Sequence, residues 1–216
     1  MNQSHHIADI RKEYTLHELS IENLANDPIE QFQNWFKQAI DAQVNEPNAM
    51  TLATVNSEGK PNARIVLLKG IDSNSFVFFT NYNSQKGNEI AQNQFGAMVF
   101  FWPELQRQIR IEGKISKLSE EASTAYFKSR PIESQIGAIV SPQSQKINDR
   151  SILENAFEQY QNSMNDQVIE KPKHWGGYAL NPSKIEFWQG RASRLHDRLR
   201  FELNETNNWE VFRLAP

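Results

Sequence analysis

The chain has 216 residues, 38% of them hydrophobic, enough for one domain with a sizeable core. Its formal charge is 23 − 26 = −3 with histidine neutral, so no overall basic footprint points to nucleic acid, and local cations must serve local anions. It contains no cysteine, which excludes disulfides, thiolate catalysis, iron–sulfur clusters and Cys-ligated zinc, and which is compatible with a reducing cytoplasm.

Residues 1–26 are polar and weakly patterned. The opening MNQSHHIADIRKEY lacks a basic region followed by an apolar one, so no signal peptide is expected. The longest apolar run, Ala97 to Trp102, is far short of a membrane span. Arg11, Lys12, Glu13 and Tyr14 are the one chemically dense spot in a stretch that otherwise reads as a mobile arm.

Asp27-Pro28-Ile29-Glu30 is a helix start: Asp caps, Pro takes the first helical position, and Glu30 stands three after the cap. Ile29, Phe32, Phe36, Ala39 and Ile40 then share one face, and the helix is expected to run to about Val44. Met50–Val55, Ala63–Lys69 and Ser75–Thr80 follow as strands joined by turn residues, a meander typical of an antiparallel sheet or barrel. Ser84 caps a short helix to about Asn93. Gly96–Trp102 and Gln106–Ser116 read as strands. In the second, Gln108, Arg110 and Glu112 alternate with Ile109, Ile111 and Gly113, and the polar row suits either solvent or a ligand mouth. Helices are expected from Ser119 to about Lys128, from Pro131 to about Val140, and from Asp149 to about Met164. Trp175–Leu180, Lys184–Gln189, Arg198–Leu203 and Trp209–Leu214 give four last strands. Strands dominate and helices arrive in blocks, so the fold class is mainly β with helical decoration, an α+β barrel and not an alternating βαβ fold.

Three constellations carry candidate chemistry. Arg64 and Lys69 bracket the apolar Ile65-Val66-Leu67-Leu68, and Gln85-Lys86 opens a helix where an anion is favoured. These cations suit a phosphate, though strand-end charges that only aid solubility fit the same pattern. Tyr126, Arg130 and Ser134 recur every four residues across Pro131, so a guanidinium and two hydroxyls meet where one helix ends and the next begins. That is a good phosphate pocket, or a helix surface with one buried Tyr. The third is Ile185 to Arg198, IEFWQGRASRLHDR. Trp188-Gln189-Gly190 suits a flat ligand approached closely by backbone, and the cations after it suit an anion or a polar ring. Read alone, the end of this stretch also fits a solvated turn with a salt bridge from Asp197 to Arg198 or Arg194. No metal-ligand pattern, nucleophile elbow or Gly-rich phosphate loop is present. Two anion grips point to a phosphorylated cofactor and a phosphorylated substrate, and the residues alone do not say flavin.

Glu186-Phe187-Trp188-Gln189, four residues, then Arg194-Leu195-His196-Asp197-Arg198 resembles the signature of the pyridoxamine/pyridoxine 5′-phosphate oxidases. The resemblance extends through Arg64–Lys69, Tyr126–Gly137, Trp175-Gly176-Gly177 and the C-terminal Arg213–Pro216, and so runs over nearly the whole chain. It implies an FMN-binding split barrel, a homodimer with FMN at the interface. In that reading residues 27–216 form the single barrel domain and residues 1–26 an arm or active-site lid.

By resemblance, FMN would be held by Arg64, Ile65, Val66, Leu67, Leu68, Lys69, Phe79, Thr80, Gln85, Lys86, Gln108, Gln143 and Ser144, with Trp188 and Arg198 coming from the partner chain. Lys69, Tyr126, Arg130 and Ser134 would grip the substrate phosphate. Arg194, Leu195 and His196 would lie at the pyridine ring, Arg194 and His196 as the catalytic positioning pair. Arg11, Lys12, Glu13 and Tyr14 would close over it. The implied reaction oxidises pyridoxamine or pyridoxine 5′-phosphate at C4′. Hydride passes to flavin, dioxygen takes the electrons to give hydrogen peroxide, and the imine from the amine substrate is hydrolysed to pyridoxal phosphate and ammonia. A non-catalytic FMN- or pyridoxal-phosphate-binding protein of the same barrel is the alternative; the presence of the whole substrate set favours the enzyme. Three positions depart from the pattern: Gln85 where Arg is expected, Phe79 where Tyr also occurs, and Lys12 where Arg also occurs. Loss of a charged phosphate contact at Gln85 is expected to cost about 1.5–3 kcal/mol and to weaken FMN binding.

Overall fold

The computed structural model describes residue 7 and residues 12–164 and 168–216. Arg11 therefore lies outside the described residues. Five α-helices and nine strands occur among those described: α1 Pro28–Asp41, β1 Ala49–Val55, β2 Pro61–Leu67, β3 Gly70–Asp72, β4 Ser75–Asn81, α2 Gln85–Gln92, β5 Phe95–Trp102, β6 Arg107–Lys117, α3 Glu120–Ser129, α4 Ile132–Val140, α5 Ser151–Ser163, β7 Trp175–Gln189, β8 Asp197–Leu203 and β9 Trp209–Arg213. The sheet order is β2-β1-β5-β6-β7-β4-β3, with β8 on β7 and β9 on β8. The chain forms two compact units, Met1–Pro47, Val99–Ile111 and Ser183–Pro216 in one, Asn48–Met98 and Glu112–Pro182 in the other.

In the first unit α1 begins as its sequence dictates. The Asp27 carboxylate accepts the amides of Ile29 and Glu30 at 2.7 and 3.0 Å, satisfying two donors the helix cannot. Ile29, Phe32, Trp35 and Ala39 are buried. Phe32 meets Phe100, and Trp35 meets Phe187 edge-on at 5.2 Å. Two expectations need correction. The helix stops at Asp41, short of Val44, because Gln43 turns to φ 53°. Ile40 is 54% exposed, and Trp35 takes the place in the buried stripe given to it, since i, i+3 and i+7 from Phe32 reach Trp35 and Ala39 but not Ile40. At the other end of this unit β8 pairs β7 from Lys184↔Glu202 to Gln189↔Asp197, and β9 closes on β8.

In the second unit β1 and β2 pair antiparallel, Leu52 opposite Arg64. The β2 strand starts at Pro61 and ends at Leu67, two residues before the expected end. Leu68 and Lys69 leave the ladder there, Leu68 buried, with the Lys69 amide reaching Val77 O at 2.8 Å. Ser73 and Asn74, both at positive φ, close the β3–β4 hairpin, the geometry that matches strand twist. The short β3 had no periodic signal of its own. Ser84 and Ser119 cap α2 and α3 through their hydroxyls, as expected. The α5 helix buries no residue fully, but Phe157 and Tyr160 pack half-buried against a cluster of Phe127, Ile136, Ile169 and Trp175.

The strands expected at Trp175–Leu180 and Lys184–Gln189 are one 15-residue strand, β7. Its first six residues pair with β4 and its last six with β8. Pro182 falls in the gap between the two ladders, where a missing N–H costs no bond on that edge. Pro182 therefore sits inside a continuous strand.

Candidate functional site

The second unit holds three linked groups of polar side chains. Arg64, rising from β2, donates from Nη1 to Leu52 O at 3.1 Å and Thr54 Oγ1, and from Nη2 to Glu89 Oε2 at 3.0 Å. Glu89, buried on α2, also accepts from Thr54, from Asn62 Nδ2 at 3.2 Å and from Gln85 Nε2 at 3.0 Å. Burial pushes this carboxyl up, but the four hydrogen bonds together hold it below its ordinary value.

Next along α2, the Lys86 ammonium donates to Gln143 Oε1 at 3.0 Å, Thr80 Oγ1 at 3.2 Å and Ser84 Oγ at 3.4 Å. Thr80 also donates to Gln143. Burial lowers the Lys86 pKa, and Arg64 nearby lowers it further. Ser144 follows at φ 71°, an uncommon conformation for a residue with a side chain. Gln85, Glu89, Gln143 and Ser144 line a cleft of about 520 Å³. A desolvated cation whose hydrogen bonds here run to neutral oxygens is completed by an anion, so these residues fit a phosphorylated cofactor.

The third group lies where α3 gives way to α4. Tyr126 stacks on Phe79 at 3.8 Å, and Phe79 on Trp175 at 5.5 Å. The Arg130 guanidinium stands over Trp175, 4.7 Å from its centroid, and its Nη1 is buried without a hydrogen-bond partner. Arg130 itself is extended, so Pro131 does break the stripe into a helix end and a new helix start, with half-buried Ser134 in the first turn of α4. Lys69 is exposed and Ile65 is 65% exposed.

The first unit holds the aromatic and cationic segment. Trp188, near the end of β7, packs on His196 with centroids 4.7 Å apart. Tyr14 meets both rings edge-on, at 5.7 and 5.8 Å. Backbone does come close at Gly190, but to Tyr14: a Cβ there would lie 2.7 Å from that ring. The Arg191 amide donates to His196 Nδ1 at 3.1 Å, which leaves Nε2 to carry the ring proton. A 3₁₀ turn at Ala192–Arg194 holds Ser193 and Arg194 at positive φ. Lys12, Glu13, Tyr14, Arg191, Arg194 and His196 together line a cavity of about 510 Å³. Five of these six are expected site residues from two distant segments. Leu195 is 71% exposed and is not among them.

The salt bridges are not those of a solvated turn. Asp197 pairs with Arg213 at 2.9 Å and Arg191 at 3.6 Å, and accepts the Leu19 amide. Arg198 forks onto buried Glu186, Nε to Oε1 at 2.8 Å and Nη2 to Oε2 at 3.1 Å, and gives Nη1 to Ala215 O. That bond to Glu186 raises the Arg198 pKa. Gln108 lies half-buried on the polar row of β6. Glu89, which fixes Arg64, was not singled out from sequence, and Glu186, which fixes Arg198, was noted only as part of the signature. Glu89 stands four residues after Gln85 on one helix face, and Glu186 diagonally across the ladder from Arg198; both spacings were readable.

Comparison with known proteins identifies the family. Residues 36–164 match the family model described as pyridoxamine 5′-phosphate oxidase, and residues 175–216 match the pyridoxine 5′-phosphate oxidase C-terminal dimerisation region. A pyridoxine/pyridoxamine 5′-phosphate oxidase of Leptospira interrogans is 57% identical over 210 residues, 97% of this chain and 98% of the relative. The protein of that name from Trichormus variabilis is 53% identical over the same shares. Among solved structures, PhzG from Burkholderia lata, in complex with tetrahydrophenazine-1-carboxylic acid, superposes with a TM-score of 0.87 at 28% identity, covering 94% of this chain and all of that one. A Nostoc punctiforme FMN-binding protein related to pyridoxamine 5′-phosphate oxidase shares the fold at TM-score 0.72 and 19% identity, over 86% of this chain and 97% of that one.

Proposed function

The chain belongs to the pyridoxamine 5′-phosphate oxidase family, and from that premise we propose that it oxidises pyridoxamine and pyridoxine 5′-phosphates to pyridoxal 5′-phosphate. It is an FMN-dependent oxidoreductase on the split-barrel fold. The chemistry FMN supplies when bound is acceptance of two electrons from the substrate's C4′ carbon and their delivery to dioxygen, giving hydrogen peroxide.

The residues bind and orient. Lys86, Thr80, Gln143 and Ser144 hold the cofactor, with Arg64 fixed beside them by Glu89. The rest of Arg64–Lys69 belongs to the same site, and Trp188 and Arg198 reach the cofactor of the other protomer in a homodimer. Lys69, Tyr126, Arg130 and Ser134 take the substrate phosphate, the half-buried Arg130 offering an unused donor. Arg194 and His196 hold the pyridine ring by position, contributing orientation rather than a proton. Lys12, Glu13 and Tyr14, the described part of the expected lid, cover the ring site, and the enzyme works in the cytoplasm. The observation that carries this reading over a protein that only stores FMN is the cavity in which Lys12, Glu13 and Tyr14 meet Arg194 and His196, and the titration below separates turnover from binding of pyridoxal phosphate alone.

The test is an anaerobic titration of FMN-loaded protein with pyridoxamine 5′-phosphate. Bleaching of the flavin absorbance, with return of colour in air, is the expected result. Persistent colour would select the non-catalytic binder. Arg194→Ala should slow bleaching by at least about 100-fold while keeping fold and FMN, the scale for lost orientation of a reactant.

A further inference from the structure

Trp175 opens β7 and is 5% exposed. Its backbone is fixed on both sides, the amide donating to Pro172 O at 3.1 Å and the carbonyl accepting from Lys171 Nζ at 2.9 Å. Its indole carries the Arg130 guanidinium and lies within 5° of parallel to the Tyr126 ring, with Phe79 stacked on both. One side chain thus supports both of the larger groups assigned to the substrate phosphate. The backbone of Arg130 is pinned too, its amide on Phe127 O at 3.2 Å and its carbonyl accepting from Gln135 Nε2 at 2.8 Å.

The manner of support matters. Arg198 is held by Glu186 and Arg64 by Glu89, and each carboxylate takes N–H donors and offsets the charge it holds. An aromatic face attracts a cation without using its donors or neutralising it. Arg130 keeps both, and a buried Nη1 without a partner is the visible result. Burial correspondingly lowers its pKa, although the group stays charged.

Resting on the phosphate-binding role proposed above for Arg130, we propose that Trp175 is a positioning residue for substrate recognition: its indole is the platform that presents the Arg130 guanidinium, donors unspent, to the phosphate. Trp175 makes the site selective for phosphorylated over unphosphorylated pyridine substrates without itself touching them.

The experiment uses FMN-loaded protein and two unreactive probes, 4-deoxypyridoxine 5′-phosphate and 4-deoxypyridoxine, titrated by perturbation of the flavin spectrum. The ratio of their dissociation constants measures phosphate discrimination. Trp175→Leu should reduce that ratio about tenfold through the phosphorylated probe alone, and Trp175→Phe, which restores a ring face, should recover it to within about threefold. An unchanged ratio in Trp175→Leu, or an equal fall in Trp175→Phe, overturns the proposal. Should Trp175→Leu not fold, a cycle of Trp175→Phe with Arg130→Lys decides: coupled effects on the ratio support the proposal and additive ones overturn it. Arg130→Ala separates the layers. If it leaves discrimination intact, the phosphate role of Arg130 fails and this inference with it. If it abolishes discrimination while Trp175→Leu does not, only the platform role fails.

Discussion

His196 shows how one ring can be set by its neighbours. Burial first, and the Arg194 cation second, hold its imidazole below the ordinary 6.5. The bond from the Arg191 amide also needs an unprotonated Nδ1. The folded chain therefore binds this proton less readily than the unfolded one. Its contribution to stability is level above pH 6.5 and is lost as pH falls from there toward the folded value. A titration of the ring protons by NMR should give a midpoint below 6.5 that moves up in Arg194→Ala; a midpoint indifferent to that substitution would remove Arg194 from the ring's surroundings. Gln85 offers a second test at this scale. It already serves Glu89, so an arginine placed there would share that carboxylate with Arg64 before reaching a phosphate. Gln85→Arg should tighten FMN binding, measured by flavin fluorescence quenching, by only a few-fold, within the about 0.2–1 kcal/mol of a partly exposed pair. No change at all would mean that this position does not feel the cofactor.

Elements succeed or fail as readings according to how local their causes are. The start of α1 is written in four residues, and Asp27→Ala should cost about 1 kcal/mol in urea denaturation while Ile40→Gln, on the exposed side, should cost under about 0.5 kcal/mol. A loss of stability greater for Ile40→Gln would invert the burial pattern described. Capped helices and alternating strands were legible for the same reason: Ser84, Ser119 and the polar row of β6 act within one turn or one pleat. The continuity of β7 was not legible, because Pro182 is tolerated only through a change of partner strand that no local window contains. The candidate site divides likewise. Its cations stand out in the sequence, whereas the contacts that Glu89, Glu186 and Trp175 make to them depend on strand register and packing that single residues do not announce.

At the scale of the whole molecule, the C-terminal segment that matches a dimerisation region contains both Trp188 and Arg198. If these complete the cofactor site of the other protomer, FMN binding and assembly are linked, and ligand binding draws the chain toward the dimer. Diluting the protein through its dimer dissociation, followed by ultracentrifugation, should weaken FMN binding in step. An affinity independent of protein concentration would place the complete cofactor site in a single chain. Among the described residues no helix is long and apolar enough to cross a membrane.

The undivided strand β7 also sets two clocks. Gln189 finds Asp197 eight residues ahead (197 − 189), whereas Leu180 must meet Phe76, 104 residues behind (180 − 76). Closing the short loop is fast and costs little entropy; closing the long one waits on much of the chain. Trp188 and Trp175 sit one in each half, so during refolding the half of the strand that holds Trp188 should pair before the half that holds Trp175. The strand would then grow backwards, from its C-terminal end toward the ring that carries Arg130.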